Sequence, residues 1–158
     1  MDEDLSVLPY RRNVGVCLLN PAGLIWAGER LDNPGAWQMP QGGVDPGEAD
    51  EAAAFRELAE ETGIPPSAVA VLDRTDDPVR YDLPPELRAR LWKGRYRGQA
   101  QHWFLMRYDG PDDAVDLDAY EREFSRWRWI GAAELLGLIV PFKRDVYLTV
   151  LDRFGLSP

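Results

Sequence analysis

The sequence predicts one α/β domain built on a mixed β-sheet with helices covering its faces. Strand-like runs precede and follow a well-delimited helix, helical periodicity closes the chain, and no repeat or low-complexity linker intervenes. With 158 residues, 45% hydrophobic and 11% aromatic, residues 1–158 suit a single globular unit with an adequate core. Only the acidic segment 1–8 reads as flexible.

Taken in order, "NVGVCLLN" (13–20) and "GLIWAG" (23–28) flank a Pro-Ala-Gly turn and read as a hairpin. "RLDNPGAWQMPQGGVDPGE" (30–48) carries too many prolines and glycines for a continuous helix or central strand, so it is a structured loop. A helix begins at Glu48 or Asp50 and runs to about Thr62, where Gly63 caps it and Pro65 and Pro66 forbid continuation. "AVAVLDRT" (68–75) and "QAQHWFLMRYDG" (99–110) read as strands, with a short helix between them in "LPPELRARLWKG" (83–94). "RWRWI" (126–130) is a brief strand with its tryptophans on one face and arginines on the other. "AAELLGLI" and 141–155 close the chain as helices, the second with Val146, Val150, Leu151 and Phe154 at helical spacing. Trp37, Trp103, Trp127 and Trp129 are expected in the core.

Composition excludes several classes. Neither the acidic N-terminal segment nor any apolar run suits a signal peptide or a bilayer-crossing helix of about 20 residues, so a cytoplasmic protein without membrane contact is expected. Cys17 is the single cysteine, in an apolar run, which leaves no disulfide framework or cysteine metal site. A net charge of −9 disfavours non-specific binding to long nucleic acid. The basic residues are nevertheless clustered, at 11–12, 88–97, 122–128 and 143–144, and a few converging cations could hold a small polyanion such as a polyphosphate.

The chemistry concentrates in the helix. At about 100° per residue, Glu57, Glu60 and Glu61 share one arc while Phe55, Leu58 and Thr62 face the other way. Like charges at i and i+4 cost a few tenths of a kcal/mol in an isolated helix. Hard divalent cations reverse that cost, because Mg²⁺ prefers carboxylate oxygens and keeps waters for a phosphate substrate. A solvated acidic face is the alternative reading of these three residues taken alone.

Their context decides. Gly42, Glu48, Arg56, Glu57, Leu58, Glu60, Glu61, Gly63 and Ile64 match at every fixed position the loop-helix-loop signature of the Nudix hydrolases, which the chain therefore resembles over the box 42–64. "YRRNVG" (10–15), "RLDNPGAWQMPQGG" (30–43), "GQAQHWFL" (98–105), "EFSRWRWI" (123–130) and "FKRDVY" (142–147) extend the likeness to one branch. That branch comprises bacterial RNA pyrophosphohydrolases and asymmetric diadenosine tetraphosphate hydrolases.

The resemblance implies an α/β/α sandwich around a mixed sheet and an enzyme. Glu57, Glu60 and Glu61 are implied ligands of Mg²⁺ or Mn²⁺, two or three ions in number, with Gly42 at the mouth of the metal loop and Arg56 orienting the carboxylates. Glu123, on the loop before the late strand, completes the metal shell or acts as base, with Glu57 the other candidate base. Arg11, Arg30 and Phe142 match positions that contact phosphate or sandwich a base; Gln41 and Tyr81 are placed to reach the substrate. Arg12 and "RLDNPGAWQMP" resemble the dinucleotide hydrolases, while the remainder has the bacterial style. His102 stands where lysine is common before "WFL", giving either a pH-dependent phosphate contact or a structural strand residue.

The expected activity is hydrolysis of pyrophosphate linkages in nucleotide 5′-polyphosphates. Diadenosine tetraphosphate would yield ATP and AMP, and 5′-triphosphorylated RNA would lose pyrophosphate. Another nucleoside diphosphate derivative (ADP-ribose, an oxidised nucleoside triphosphate) or a non-catalytic nucleotide-sensing module are the alternatives. A monomer or weak dimer is expected.

Overall fold

The computed structural model describes residues 7–156, so the segment expected to be flexible, 1–8, lies almost wholly outside the described residues. The central strand is β1 (Tyr10–Leu19), which pairs in parallel with β7 (Gly98–Tyr108) from Tyr10 opposite Gly98 to Leu19 opposite Arg107. All other strand pairs are antiparallel, which makes the sheet mixed: β2 (Ile25–Arg30), β3 (Trp37–Gln38), β4 (Gln41–Gly43), β5 (Val69–Arg74), β6 (Val79–Asp82) and β8 (Phe124–Ile130). The order is β3-β2-β1-β7-β5, with β4 on β1, β6 on β7 and β8 on β2.

From Asn13 to Leu18 β1 is buried on both faces, so from Val14 onward it reads as an apolar run. On one side Val14, Val16 and Leu18 join Phe104 and Met106 beneath α1 (Asp50–Thr62), whose Ala53, Ala54 and Leu58 are fully buried. On the other, Cys17, Trp103 and Leu105 meet α3 (Ala132–Leu138) and α4 (Arg144–Arg153) through Leu135, Val146, Tyr147, Val150 and Leu151. The expected sandwich is therefore present. Burial alone pushes the Cys17 thiol up to about 12, leaving it an inert core group. No described helix is long and apolar enough to cross a membrane.

Several elements depart from the sequence reading. The β1–β2 hairpin pairs only at Leu19 opposite Ile25, because Gln41–Gly43 already occupies the β1 edge from Asn13 to Gly15. β2 diverges to pair with β8 and β3 instead. The hairpin turn itself is held by the Asn20 carboxamide, which accepts from the Ala22 and Leu24 N–H groups at 3.0 and 2.9 Å. β6 was not anticipated, and the helix expected over 83–94 is broken. Only α2 (Pro85–Arg88) is helical, followed by a 3₁₀ turn at Leu91–Gly94 in which Trp92 and Lys93 adopt φ of 49° and 59°. A left-handed backbone costs a bulky residue about 1–2 kcal/mol, so tertiary contacts must hold this turn.

Trp37 and Trp103 lie in the core as expected, but Trp127 and Trp129 are only half-buried. They share one face of β8, edge to face at 5.5 Å, while Arg126 and Arg128 on the other face stack over Trp37 at 5.2 and 4.7 Å.

Candidate active site

α1 ends as its sequence requires. Gly63 takes φ 75° and its N–H donates to the Ala59 carbonyl, placing the last turn against the sheet. The two faces of this helix are not an apolar face opposed to a solvated acidic one. Glu57 and Glu61 are buried alongside Leu58 and Thr62, whereas Phe55, expected on the same face as Leu58 and Thr62, is only half-buried. Alanines at 53 and 54 let the helix approach the sheet closely enough to carry the two glutamates inward.

Arg56 organises the acidic arc. Its Nε and Nη2 donate to the two Glu48 oxygens, each at 2.9 Å, and Nη2 also donates to the Gly43 carbonyl at 2.8 Å. Nη1 donates to Glu57 at 2.9 Å and to Glu60 at 3.4 Å. One guanidinium thus ties the loop after β4 to two box carboxylates. The Arg56 hydrogen bonds hold the Glu48 carboxyl down at about 2.

Glu57 and Glu61 are shifted the opposite way. Burial pushes Glu57 up to about 7, with Arg56 pulling it down and Glu60 and Glu123 adding repulsion. Glu61 is 3% exposed, and neither of its oxygens closes a hydrogen bond. Burial first, then the charges of Glu123 and Glu57, push it well above the ordinary carboxylate range; the nearby Gln41 backbone pulls only weakly the other way. Glu123, on the turn before β8, is electrostatically coupled to Glu57, Glu61 and Arg30.

Among the described residues no three such groups are already gathered around one point; Arg56 holds Glu57 and Glu60. The residues nevertheless fit a hard divalent cation. The buried Glu61 carboxylate lacks a partner, and all donors are oxygens. The Glu57 carboxylate sits in the space that a side chain at Gly42 would fill. Glu57, Glu60, Glu61 and Glu123 are the groups that could hold the ion.

Beside this arc lie two clefts that share Arg30, Asp32 and Gln41. One, of about 390 Å³, is lined by Arg30, Gln41 and Glu123; the other, of about 610 Å³, by Arg30, Gln41, Tyr81, Trp92, Gln99, Phe142 and Lys143. Arg30 is oriented by a fork to Asp32 at 2.8 and 2.6 Å. Tyr81 and Phe142 pack with ring centroids 6.1 Å apart. Arg11 donates to Gln99 at 3.1 Å and lies over the Trp92 ring at 4.7 Å. The structure thus brings Arg30, Gln41, Tyr81 and Phe142 to one groove, with Arg11 outside its lining but stacked on Trp92, which lines it.

Sequence reasoning missed what supports the groove. Gln99 and Gln101, on one face of β7, form a buried amide network. Gln99 accepts from Asn13 at 2.7 Å and donates to the Tyr81 hydroxyl at 2.6 Å, while Gln101 donates to Asn13 at 2.9 Å and to Gln41 at 3.0 Å. The alternation in "QAQ" was the available signal. Lys143 was also missed as a site residue: it is 4% exposed, and burial, then Arg30, lowers its pKa to about 8 against the pull of Asp32 and Glu61. His102 faces the α1 side of the sheet, 3.6 Å from Asp50, which also takes the Arg12 guanidinium at 2.6 Å. Both lie on the helix flank, away from the groove's lining residues.

The NUDIX domain family matches residues 9–150. A curated RNA pyrophosphohydrolase of Roseobacter denitrificans is 55% identical over 96% of both chains. One from Cereibacter sphaeroides is 57% identical over 96% of this chain and 94% of its own. Among solved structures, a Caenorhabditis elegans Ap4A hydrolase binary complex is similar at TM-score 0.65, with 21% identity over 90% of this chain and 97% of that one. The Escherichia coli dihydroneopterin triphosphate pyrophosphohydrolase is similar at TM-score 0.70, with 21% identity over 92% and 99%. These two show the fold. With its signature intact from Gly42 to Ile64 and its sheet, helices and acidic arc arranged as described, the chain belongs to the Nudix family.

Proposed function

We propose that this chain is a divalent-metal-dependent hydrolase of pyrophosphate linkages in nucleotide 5′-polyphosphates. It removes pyrophosphate from 5′-triphosphorylated RNA and cleaves diadenosine tetraphosphate to ATP and AMP. The observation that carries the reading is the buried, unpartnered Glu61 carboxylate, which feels the charges of Glu57 and Glu123 and acts in turn on Lys143 of the groove that Arg30 and Phe142 also line. The relatives named RNA pyrophosphohydrolase favour RNA over the dinucleotide preference suggested by Arg12, since Arg12 is engaged with Asp50 outside the groove.

Nudix hydrolases need divalent metal ions. Mg²⁺, with Mn²⁺ as substitute and two or three ions per substrate, would neutralise phosphate oxygens and acidify water when held by Glu57, Glu60, Glu61 and Glu123. The chain's own groups do the rest. Arg56 fixes the carboxylates of Glu57 and Glu60; Arg30 and Lys143 offer positive charge to the polyphosphate; Gln41 is held in place by Gln101. Glu123 or Glu57 takes the proton from the attacking water.

The test is turnover of both substrates by purified protein with Mg²⁺ in oxygen-18 water. ATP plus AMP from one and pyrophosphate from the other are expected; cleavage of ADP-ribose with neither substrate turned over overturns the reading.

A further inference from the structure

We infer that Trp92, with the Arg11 guanidinium stacked on it, is a nucleobase platform that faces Phe142 across the larger cleft. The inference rests on the nucleotide-polyphosphate reading and names a base-binding residue for it.

A connected set of contacts links the two aromatic walls. Trp92 carries Arg11 at 4.7 Å; Arg11 donates to Gln99 at 3.1 Å; Gln99 donates to the Tyr81 hydroxyl at 2.6 Å; and Tyr81 packs on Phe142 at 6.1 Å. All of these residues except Arg11 line the same cleft of about 610 Å³. Trp92 is half-buried, braced by Tyr96 edge-on at 5.9 Å and packed, like Phe142, against the apolar cluster that includes Tyr81 and Leu83. Its ring is thereby fixed rather than swinging in solvent.

The backbone bears the cost of this placement. Trp92, Lys93 and Gly94 take φ of 49°, 59° and 70°, a left-handed turn in which only the glycine is at ease. A bulky residue in this conformation at the lip of a cleft is the kind of strain that surrounding contacts must hold, and what it achieves here is to set an indole at the groove wall. An indole already polarised by a guanidinium is suited to stacking, which every base can supply through its π face. The ligand is therefore a nucleobase joined to the polyphosphate, whether the second adenosine of a dinucleotide or a leading nucleotide of an RNA.

The experiment compares wild type, Trp92→Ala and Trp92→Phe on triphosphorylated RNA oligonucleotides, intact or abasic at the first or second nucleotide. Diadenosine tetraphosphate and adenosine 5′-tetraphosphate form the second arm. Trp92→Ala should raise KM roughly ten-fold on intact substrates with kcat nearly unchanged, and Trp92→Phe should restore most of the loss. On the substrate lacking the stacked base the Trp92→Ala effect should vanish, and the arm in which it vanishes identifies whose base it is. An unchanged KM in Trp92→Ala, or a loss equal on every substrate with or without the base, overturns the platform while leaving the hydrolase reading intact. Should Trp92→Ala not fold, Trp92→Phe against Trp92→Leu gives the same comparison. Wild type inert to all substrates overturns the hydrolase reading and this inference together.

Discussion

The Glu57 carboxylate occupies the volume that a side chain at Gly42 would need. A Cβ at this point of β4 would displace the end of the Glu57 side chain, since the pairing of Gly42 with Val14 keeps the strand from moving aside. Gly42→Ala should lower stability by about 1–3 kcal/mol through overpacking. It should also cut turnover on the order of 100-fold by displacing Glu57. Denaturation and steady-state kinetics on one preparation check both; wild-type turnover in the variant would mean that Glu57 need not stay where it is.

Glu61 offers the direct test of metal. Its unpartnered, buried carboxylate weakens the metal-free protein, so Glu61→Gln should melt higher than wild type in chelator. Wild type at about 100 times the dissociation constant in Mg²⁺ should gain about 2.7 kcal/mol, a rise of roughly 5–10 °C, which EDTA removes. Glu61→Gln should lose most of that gain and nearly all activity. Equal Mg²⁺ shifts in both proteins would sink the assignment.

The Arg56–Glu48 fork is predicted to be a positioning device with a measurable pH signature. Its two 2.9 Å bonds lower the Glu48 folded-state pKa from 4.5 to about 2, so its stabilisation is complete above 4.5 and is lost as pH falls through that window. The stability gap between wild type and Glu48→Gln should be constant from pH 5 to 7 and close toward pH 2. Arg56→Lys, which cannot span Glu48, Gly43 and Glu57 together, should cost about 10–100-fold in activity. A gap that does not vary with pH would show the fork to be idle.

What was legible in the sequence was local. Gly63 in its left-handed cap, the prolines after it and the spacing of Arg56, Glu57, Glu60 and Glu61 are short-range signals, and they located the helix and its acidic arc. The groove is not local. Residues 30, 41, 81, 92, 99 and 143 come from six separate segments and meet only through the β1–β7 pairing and the packing of α4. Lys143 in "FKRD" reads as one more surface cation until Tyr81 and Phe142 close over it. Trp92 fell in a segment whose prolines and leucines suggest helix, and nothing local announces that the chain turns left-handed there.

Lys143 supplies the last prediction, in which stability and activity move in opposite directions. Its ammonium is buried beside Tyr81, and burial with the repulsion of Arg30 brings its pKa from 10.5 to about 8. For a lysine whose folded-state pKa is lowered, the folded protein holds a charge it would rather release. The cost is fully present below pH 8 and disappears as pH rises to 10.5, and it amounts to roughly 3 kcal/mol. Lys143→Met keeps the stem and removes the charge, so it should be more stable than wild type at pH 7 and no more stable near pH 10.5. Other groups that titrate there, Tyr10 among them, are common to both proteins and cancel in the difference. The same substitution should raise KM for a polyphosphate substrate about ten-fold or more, since the cleft loses a desolvated cation. Urea denaturation at the two pH values and kinetics at pH 7 check the pair. A variant less stable than wild type at pH 7 would show that Asp32 and Glu61 compensate the buried charge in full, and the lysine would then be part of the scaffold as well as of the groove.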